Sequence, residues 1–145
     1  EILAVENAWH GLRMDVDIDL PEHNVLRRFV TPENVVSLFD ESAVPSAPDL
    51  VCIDIDSCDL WVFLNLTMEY RPRVVQIEYN SNYEFGQSWT NVCRNRNGTQ
   101  YIWVGDNMFG ASLAAVHKAA WQRGYALIGV IVDMDVVLVR RDLLC

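Results

Sequence analysis

A single α/β domain built on a mostly parallel sheet is what this sequence predicts, and three stretches carry the prediction. Asp49-Leu50-Val51-Cys52-Ile53-Asp54-Ile55-Asp56 is a nearly continuous apolar run ending in acids, the pattern of a strand buried on both faces. Arg73-Val74-Val75-Gln76-Ile77-Glu78-Tyr79 repeats it, and a helical stretch from Leu60 to Met68 joins the two as a right-handed parallel crossover requires. Tyr125 to Val132 and Val136 to Arg140, on either side of Asp133-Met134-Asp135, read as a hairpin whose last strand is antiparallel. Helices are expected on both faces of the sheet.

The elements follow in order. Ile2, Val5, Ala8, Trp9 and Leu12 have near-helical spacing and predict a short amphipathic helix ending around Gly11. Met14 to Leu20 alternates acids with apolar residues, as an edge strand does, with Asp15, Asp17 and Asp19 in water. Its DxDxD opening resembles a calcium loop, but Leu20 and Leu26 stand where such a loop needs Gly and an acid. Residues 1–24 are therefore expected to be a helix and acidic segment preceding a domain over 25–145. Val25 to Val30 predicts a strand, and Thr31-Pro32-Glu33 supplies an N-cap, a proline and an acid for a helix carrying Val35, Val36, Leu38 and Phe39. Residues 80–108 are polar and aromatic without a period, a length that in a compact domain points to function or a partner surface. Gly110 to Arg123 is an alanine-rich helix closed by Gly124.

Composition narrows the chemistry. The 145 residues suit one hydrophobic core, and 51% apolar against 21% charged residues describes a folding, globular chain. Eleven basic against twenty acidic residues give −9, which argues against nucleic acid or an anionic membrane surface as partner. Lys118 is the only lysine, so Schiff-base and P-loop chemistries are disfavoured. The longest plainly apolar stretch, Tyr125 to Val132, is far below a bilayer span. Cys52, Cys58, Cys93 and Cys145 form no CxxC pair; reduced, structural cysteines are expected, with Cys52 in the core. A soluble intracellular or organellar setting is expected over secretion, although Asn65-Leu66-Thr67 and Asn97-Gly98-Thr99 match a glycosylation triplet.

Three blocks carry a resemblance. Phe29-Val30-Thr31-Pro32-Glu33-Asn34-Val35, Ile53-Asp54-Ile55-Asp56-Ser57-Cys58-Asp59-Leu60-Trp61-Val62 and Tyr70 to Asn82 resemble consecutive blocks of an FkbM-type methyltransferase-like family. Phe109 to Leu113 and Val139 to Leu144 extend the likeness over about residues 25–145. The resemblance implies the Rossmann-like fold of S-adenosylmethionine-dependent methyltransferases, truncated to its carboxyl-terminal half. The strands ending at Asp56 and Asn80 would be the fourth and fifth of seven, and the closing pair the sixth and the antiparallel seventh.

No GxGxG-like string occurs here for the cofactor turn. Ser57 and Cys58 replace a glycine and an asparagine of the family, and Asp135 another asparagine. The resemblance thus implies a methyltransferase-like pseudoenzyme without a cofactor on this chain, serving as a structural or interaction subunit of a larger complex. The alternative is an active methyltransferase whose cofactor-binding half lies upstream or on another chain.

Candidate site residues follow. Asp54 and Asp56, as strand-end acids, would hold a divalent metal or orient a substrate, or else tie down the following turn. They also resemble the start of a haloacid-dehalogenase phosphatase, which needs a later lysine on another strand. Glu78 and Asn80, with Asn82, end the next strand; they would bind a polar ligand or satisfy loop backbone. Asp59 is expected to start a helix at its positive end. His10, His23 and His117 lack metal-ligand spacing and read as surface residues. Tyr83, Phe85, Trp89, Tyr101 and Trp103 form the expected partner interface, with no nucleic acid and at most peripheral membrane association.

Overall fold

The structure is a computed structural model that describes residues 9–94, 98–99 and 103–145. It comprises two compact units, residues 1–31 and 32–145. The helix expected over 2–12 falls mainly outside the described residues, and positions 9–12 are not helical. No helix among the described residues is long and apolar enough to cross a membrane.

The first unit holds two short strands, β1 (Arg13–Asp15) and β2 (Val25–Arg27), paired in parallel with Met14 opposite Leu26. The alternating segment was expected to continue as strand to Leu20, but it leaves the ladder at Asp15. The Asp15 Oδ1 accepts hydrogen bonds from the amides of Asp17 and Ile18, at 2.7 and 2.9 Å. A short carboxylate that reaches its own backbone competes with strand pairing and turns the chain. A one-turn 3-10 segment, Pro21–His23, and Asn24 at φ 55° complete the return to β2. β2 itself ends at Arg27 rather than Val30.

The second unit is an α/β layer. Its elements are α1 (Val35–Glu41), β3 (Leu50–Ile53), α2 (Asp59–Glu69), β4 (Val74–Glu78), α3 (Leu113–Gln122), β5 (Tyr125–Ile131) and β6 (Asp135–Arg140). The α1 helix starts two residues after Glu33, and the Pro32 carbonyl just before it accepts Asn65 Nδ2 at 2.8 Å. The strands are ordered β3-β4-β6-β5, with β3 and β4 parallel and β6 antiparallel to both neighbours. The expected hairpin is therefore present, and three strands run one way with the last reversed between β4 and β5.

The core follows from strand alternation. Val51, Ile53, Val75, Ile77, Val136 and Leu138 are buried beneath Phe63, Leu66, Val116 and Ala120 of α2 and α3. Tyr125 is fully buried, donates its hydroxyl to the Pro72 carbonyl at 2.8 Å and meets Phe63 edge-on at 5.7 Å. Tyr70 joins α2 to α1 through Phe39 and through its hydroxyl on Asp40 at 2.6 Å.

The expectation of helices on both faces is corrected. α2 and α3 contact each other and cover the same sheet face. The alternate positions Leu50, Cys52, Val74, Gln76, Val137 and Val139 are half-buried or exposed. Cys52, expected in the core, is exposed, because it lies on this second face with its thiol 3.9 Å from Gln76 Oε1. Burial on both faces would have needed a second helical layer over these positions.

Candidate functional site

Strand direction brings the acids together. β3 and β4 are parallel and in register, Ile53 opposite Ile77, so Asp54, Asp56 and Glu78 emerge at the same carboxyl edge of the sheet. Carboxylate oxygens of the three lie within 4.8 Å of one another. Asp54 and Asp56 are exposed, whereas Glu78 is half-buried. Asp56 sits at φ 57°, a left-handed conformation that aspartate tolerates better than most side chains.

Glu78 is the perturbed member. One carboxyl oxygen, Oε2, is buried and has no hydrogen-bond partner among the described residues. Burial, followed by the charges of Asp59, Asp54, Asp56 and Asp135, pushes its pKa up to about 8. The group therefore keeps its proton at neutral pH. Burial and the neighbouring Asp56 and Asp135 also raise Asp54. A concentration of carboxylates is relieved by a retained proton or by a hard cation with oxygen ligands, and these three residues supply such ligands.

Sequence reasoning placed Asp59 at a helix start but not in the site. It is fully buried at the first position of α2, and Oδ1 and Oδ2 accept the Ile55 and Ser57 amides at 2.8 and 3.1 Å. Burial raises its pKa to about 6 even though these backbone donors oppose the shift. Asp135 is likewise buried, opposite Glu78 in the ladder, and receives Gln76 Nε2 at 2.8 Å. Neither acid is marked by spacing, since what distinguishes them is tertiary burial.

Asn80 is spent on the loop. Its Nδ2 donates to the Asn107 and Phe109 carbonyls, both at 2.9 Å, and its Oδ1 accepts the Asn82 amide and side chain. Asn91 extends this pinning, accepting Trp61 Nε1 at its carbonyl and donating Nδ2 to Met108 O. Ser112 caps α3 through the Ala115 amide and also receives the Trp89 amide. The long loop is thus fastened at several points to the sheet edge.

The aromatic residues expected at an interface are spread along this loop. Phe85 is 94% exposed, Trp89 is exposed with Nε1 on Gln87, and Trp103 donates to the Asp106 carbonyl and packs edge-on against Phe109. Tyr83 lines a cavity of about 260 Å³ with Tyr79, Asn80, Glu84 and Asp133. Tyr101 lies outside the described residues.

The expectation of reduced cysteines is corrected at one pair. Cys58 and Cys93 form a disulfide, with Cα atoms 5.3 Å apart, that fixes the start of α2 to the loop. Their 35-residue separation hid the pairing, because only the fold brings them together. Cys52 and Cys145 are free. Of the glycosylation triplets, Asn65 and Thr67 lie in α2 with Thr67 buried, and Asn97 lies outside the described residues.

No protein-family model, no curated protein and no solved structure matches this chain.

Proposed function

We propose that residues 32–145 are a methyltransferase-like α/β half that does not bind S-adenosylmethionine and acts as an interaction subunit of a larger assembly. The observation that carries this reading is the unfinished sheet. β3 is terminal in the strand order, and its main chain has an outward side. The Asp49 carbonyl accepts the Val74 amide, so positions 49, 51 and 53 face β4 while Leu50 and Cys52 turn their backbone away. Leu50 and Cys52 have no backbone partner beyond this edge among the described residues. An edge of this kind, next to a sheet face carrying Leu50, Val74, Val137 and Val139 that no helix among the described residues covers, calls for further structure.

The resemblance to the FkbM-type family says what that structure is: the strands and helices that precede the fourth strand. Three strands in one direction and a reversed last strand agree with a fourth, fifth, sixth and antiparallel seventh. The amino-terminal segment, another chain or a cofactor surface is proposed to cover that edge. The Cys58–Cys93 bond supports an oxidising compartment over a reducing cytosol.

A second reading rests on Glu78. A half-buried carboxyl whose pKa is raised by burial and by neighbouring strand-end acids is the kind of group that moves a proton in catalysis. In an active methyltransferase with its cofactor half supplied in trans, Asp54, Asp56 and Glu78 would line the substrate side. Calorimetric titration with S-adenosylmethionine tests the subunit reading, which expects no binding tighter than about 100 μM, roughly −5.5 kcal/mol.

A further inference from the structure

We propose that the cavity at the carboxyl end of β4 binds a small free compound bearing a trimethylammonium group, such as choline. The inference is independent of the proposed function, because Asp54, Asp56 and Glu78 do not line this cavity and no residue of β3 does.

Four segments meet there, and hydrogen bonds fix each to the next. Tyr79 and Asn80 follow β4. The Tyr79 hydroxyl accepts the Asp133 amide at 3.2 Å, and the Met134 carbonyl accepts the Tyr79 amide at 3.0 Å, which holds the hairpin turn against the strand end. Ser112 Oγ, at the start of α3, donates to the Gln87 carbonyl at 2.7 Å and so holds the loop that carries Tyr83, Glu84 and Phe85. That loop turns tightly, with the Gln87 amide on the Glu84 carbonyl at 3.2 Å and Gly86 at φ 86°. A site assembled in advance loses less freedom when a ligand enters.

Volume sets the size of the occupant. The cavity's 260 Å³ lies just under the range of about 300–1,000 Å³ that receives drug-sized molecules, so the ligand is compact. The lining sets its charge. Glu84 and Asp133 both line the cavity, and no lysine, arginine or histidine does so among the described residues. Leu113 and Ala114 bring the first turn of α3, whose end carries about half a positive charge against two full negative ones. The balance favours a cation. A chelated metal ion is the poorer match, since among the described residues only Asp54, Asp56 and Glu78 converge closely enough to share one.

The walls set its chemistry. Tyr79, Tyr83 and Phe85 line the cavity, and aromatic rings of this kind attract quaternary ammonium groups. The inner polar groups are already spent, the Tyr79 hydroxyl on Asp133 and the Asn80 side chain on Asn107, Phe109 and Asn82. An ammonium with N–H groups would find these acceptors taken, whereas a trimethylammonium group needs none. Phe85, exposed in the free chain, offers apolar surface for the methyl groups to cover. A phosphate ester of choline, as in a lipid headgroup, would bring its own anion toward Glu84 and Asp133, so the free compound is the better match.

Titration of the isotope-labelled full chain with choline chloride, followed by amide chemical shifts, tests this. Saturable shifts at Tyr83, Glu84, Leu113 and Asp133 are expected with a Kd of about 1 mM, against a sodium chloride control of equal ionic strength. The neutral isostere dimethylbutanol, with carbon in place of nitrogen, should bind about tenfold more weakly, and phosphocholine more weakly than choline. Tyr83→Ala should weaken choline binding about fivefold. Asp133→Asn, which keeps a side chain suited to φ 62°, should weaken it about threefold. No saturable shift by about 20 mM choline, an isostere that binds as tightly as choline, or shifts confined to Asp15–Asp19 overturns the proposal. So does unchanged affinity in either variant once its spectrum shows it folded. Phosphocholine bound more tightly than choline overturns the choice of the free compound.

Discussion

The Asp59 carboxylate accepts the Ile55 amide at 2.8 Å, tying the first residue of α2 to the turn that leaves β3. The same side chain accepts the Ser57 amide, so one buried acid holds the segment that carries Asp54 and Asp56 to the sheet edge. Asp59→Ala removes both acceptors and leaves two inward amides without partners. The expected loss is about 2–3 kcal/mol of folding stability, measured by urea unfolding. A loss below about 0.5 kcal/mol would mean that this turn holds its shape without the carboxylate.

The raised carboxyls set a pH dependence. Glu78 and Asp59 are driven up to about 8 and about 6, above their unfolded values, so each favours the folded state when protonated. Stability is then greatest below pH 4 and falls as pH rises through 6 and on through 8, because the unfolded chain releases these protons first. Urea midpoints at pH 5, 6.5 and 8 should decline in that order. Glu78→Gln should flatten the upper part of the decline, since the amide has no proton to lose. An unchanged slope between pH 6.5 and 8 in that variant would assign the dependence to other groups.

Asn80 anchors the long loop from the end of β4. Asn80→Ala releases the Asn107 and Phe109 carbonyls and the Asn82 contacts, with an expected cost of about 2–3 kcal/mol. Asn80→Asp keeps the shape but faces an oxygen toward two carbonyls, so it should not rescue the loss. Thermal unfolding of both variants checks this, and wild-type stability in Asn80→Asp would contradict the assigned hydrogen-bond directions.

The disulfide gives a chemical count. Native protein should titrate two thiols, Cys52 and Cys145, and four after reduction and denaturation. Closing a loop of 35 residues restricts the unfolded chain, so reduction should lower stability by about 3–4 kcal/mol on the loop-entropy estimate. Four thiols titrating before reduction would remove the bond from the native protein.

The sheet was legible where pattern and burial coincide. The apolar runs expected over 49–56 and 73–79 form strands over Leu50–Ile53 and Val74–Glu78, and the closing hairpin forms too, because their alternate residues face one helical layer. The second face was misread. Leu50, Cys52 and Val74 are as apolar as the residues facing the helices, and composition does not record which side a helix will occupy. The strand expected past Asp15 failed for a local reason, the carboxylate's own turn, that alternation does not encode. In the site, Asp54, Asp56 and Glu78 were found from their strand-end positions. Asp59 and Asp135 acquire their role from burial, and Cys93 from a contact across 35 residues.

Titration of the native chain with S-adenosylmethionine, followed by calorimetry, bears most directly on the subunit reading. No heat of binding is expected at concentrations up to about 100 μM, where a complex of roughly −5.5 kcal/mol would half-saturate. Saturable one-to-one binding tighter than that would contradict a chain without its own cofactor site and return Asp54, Asp56 and Glu78 to an active centre.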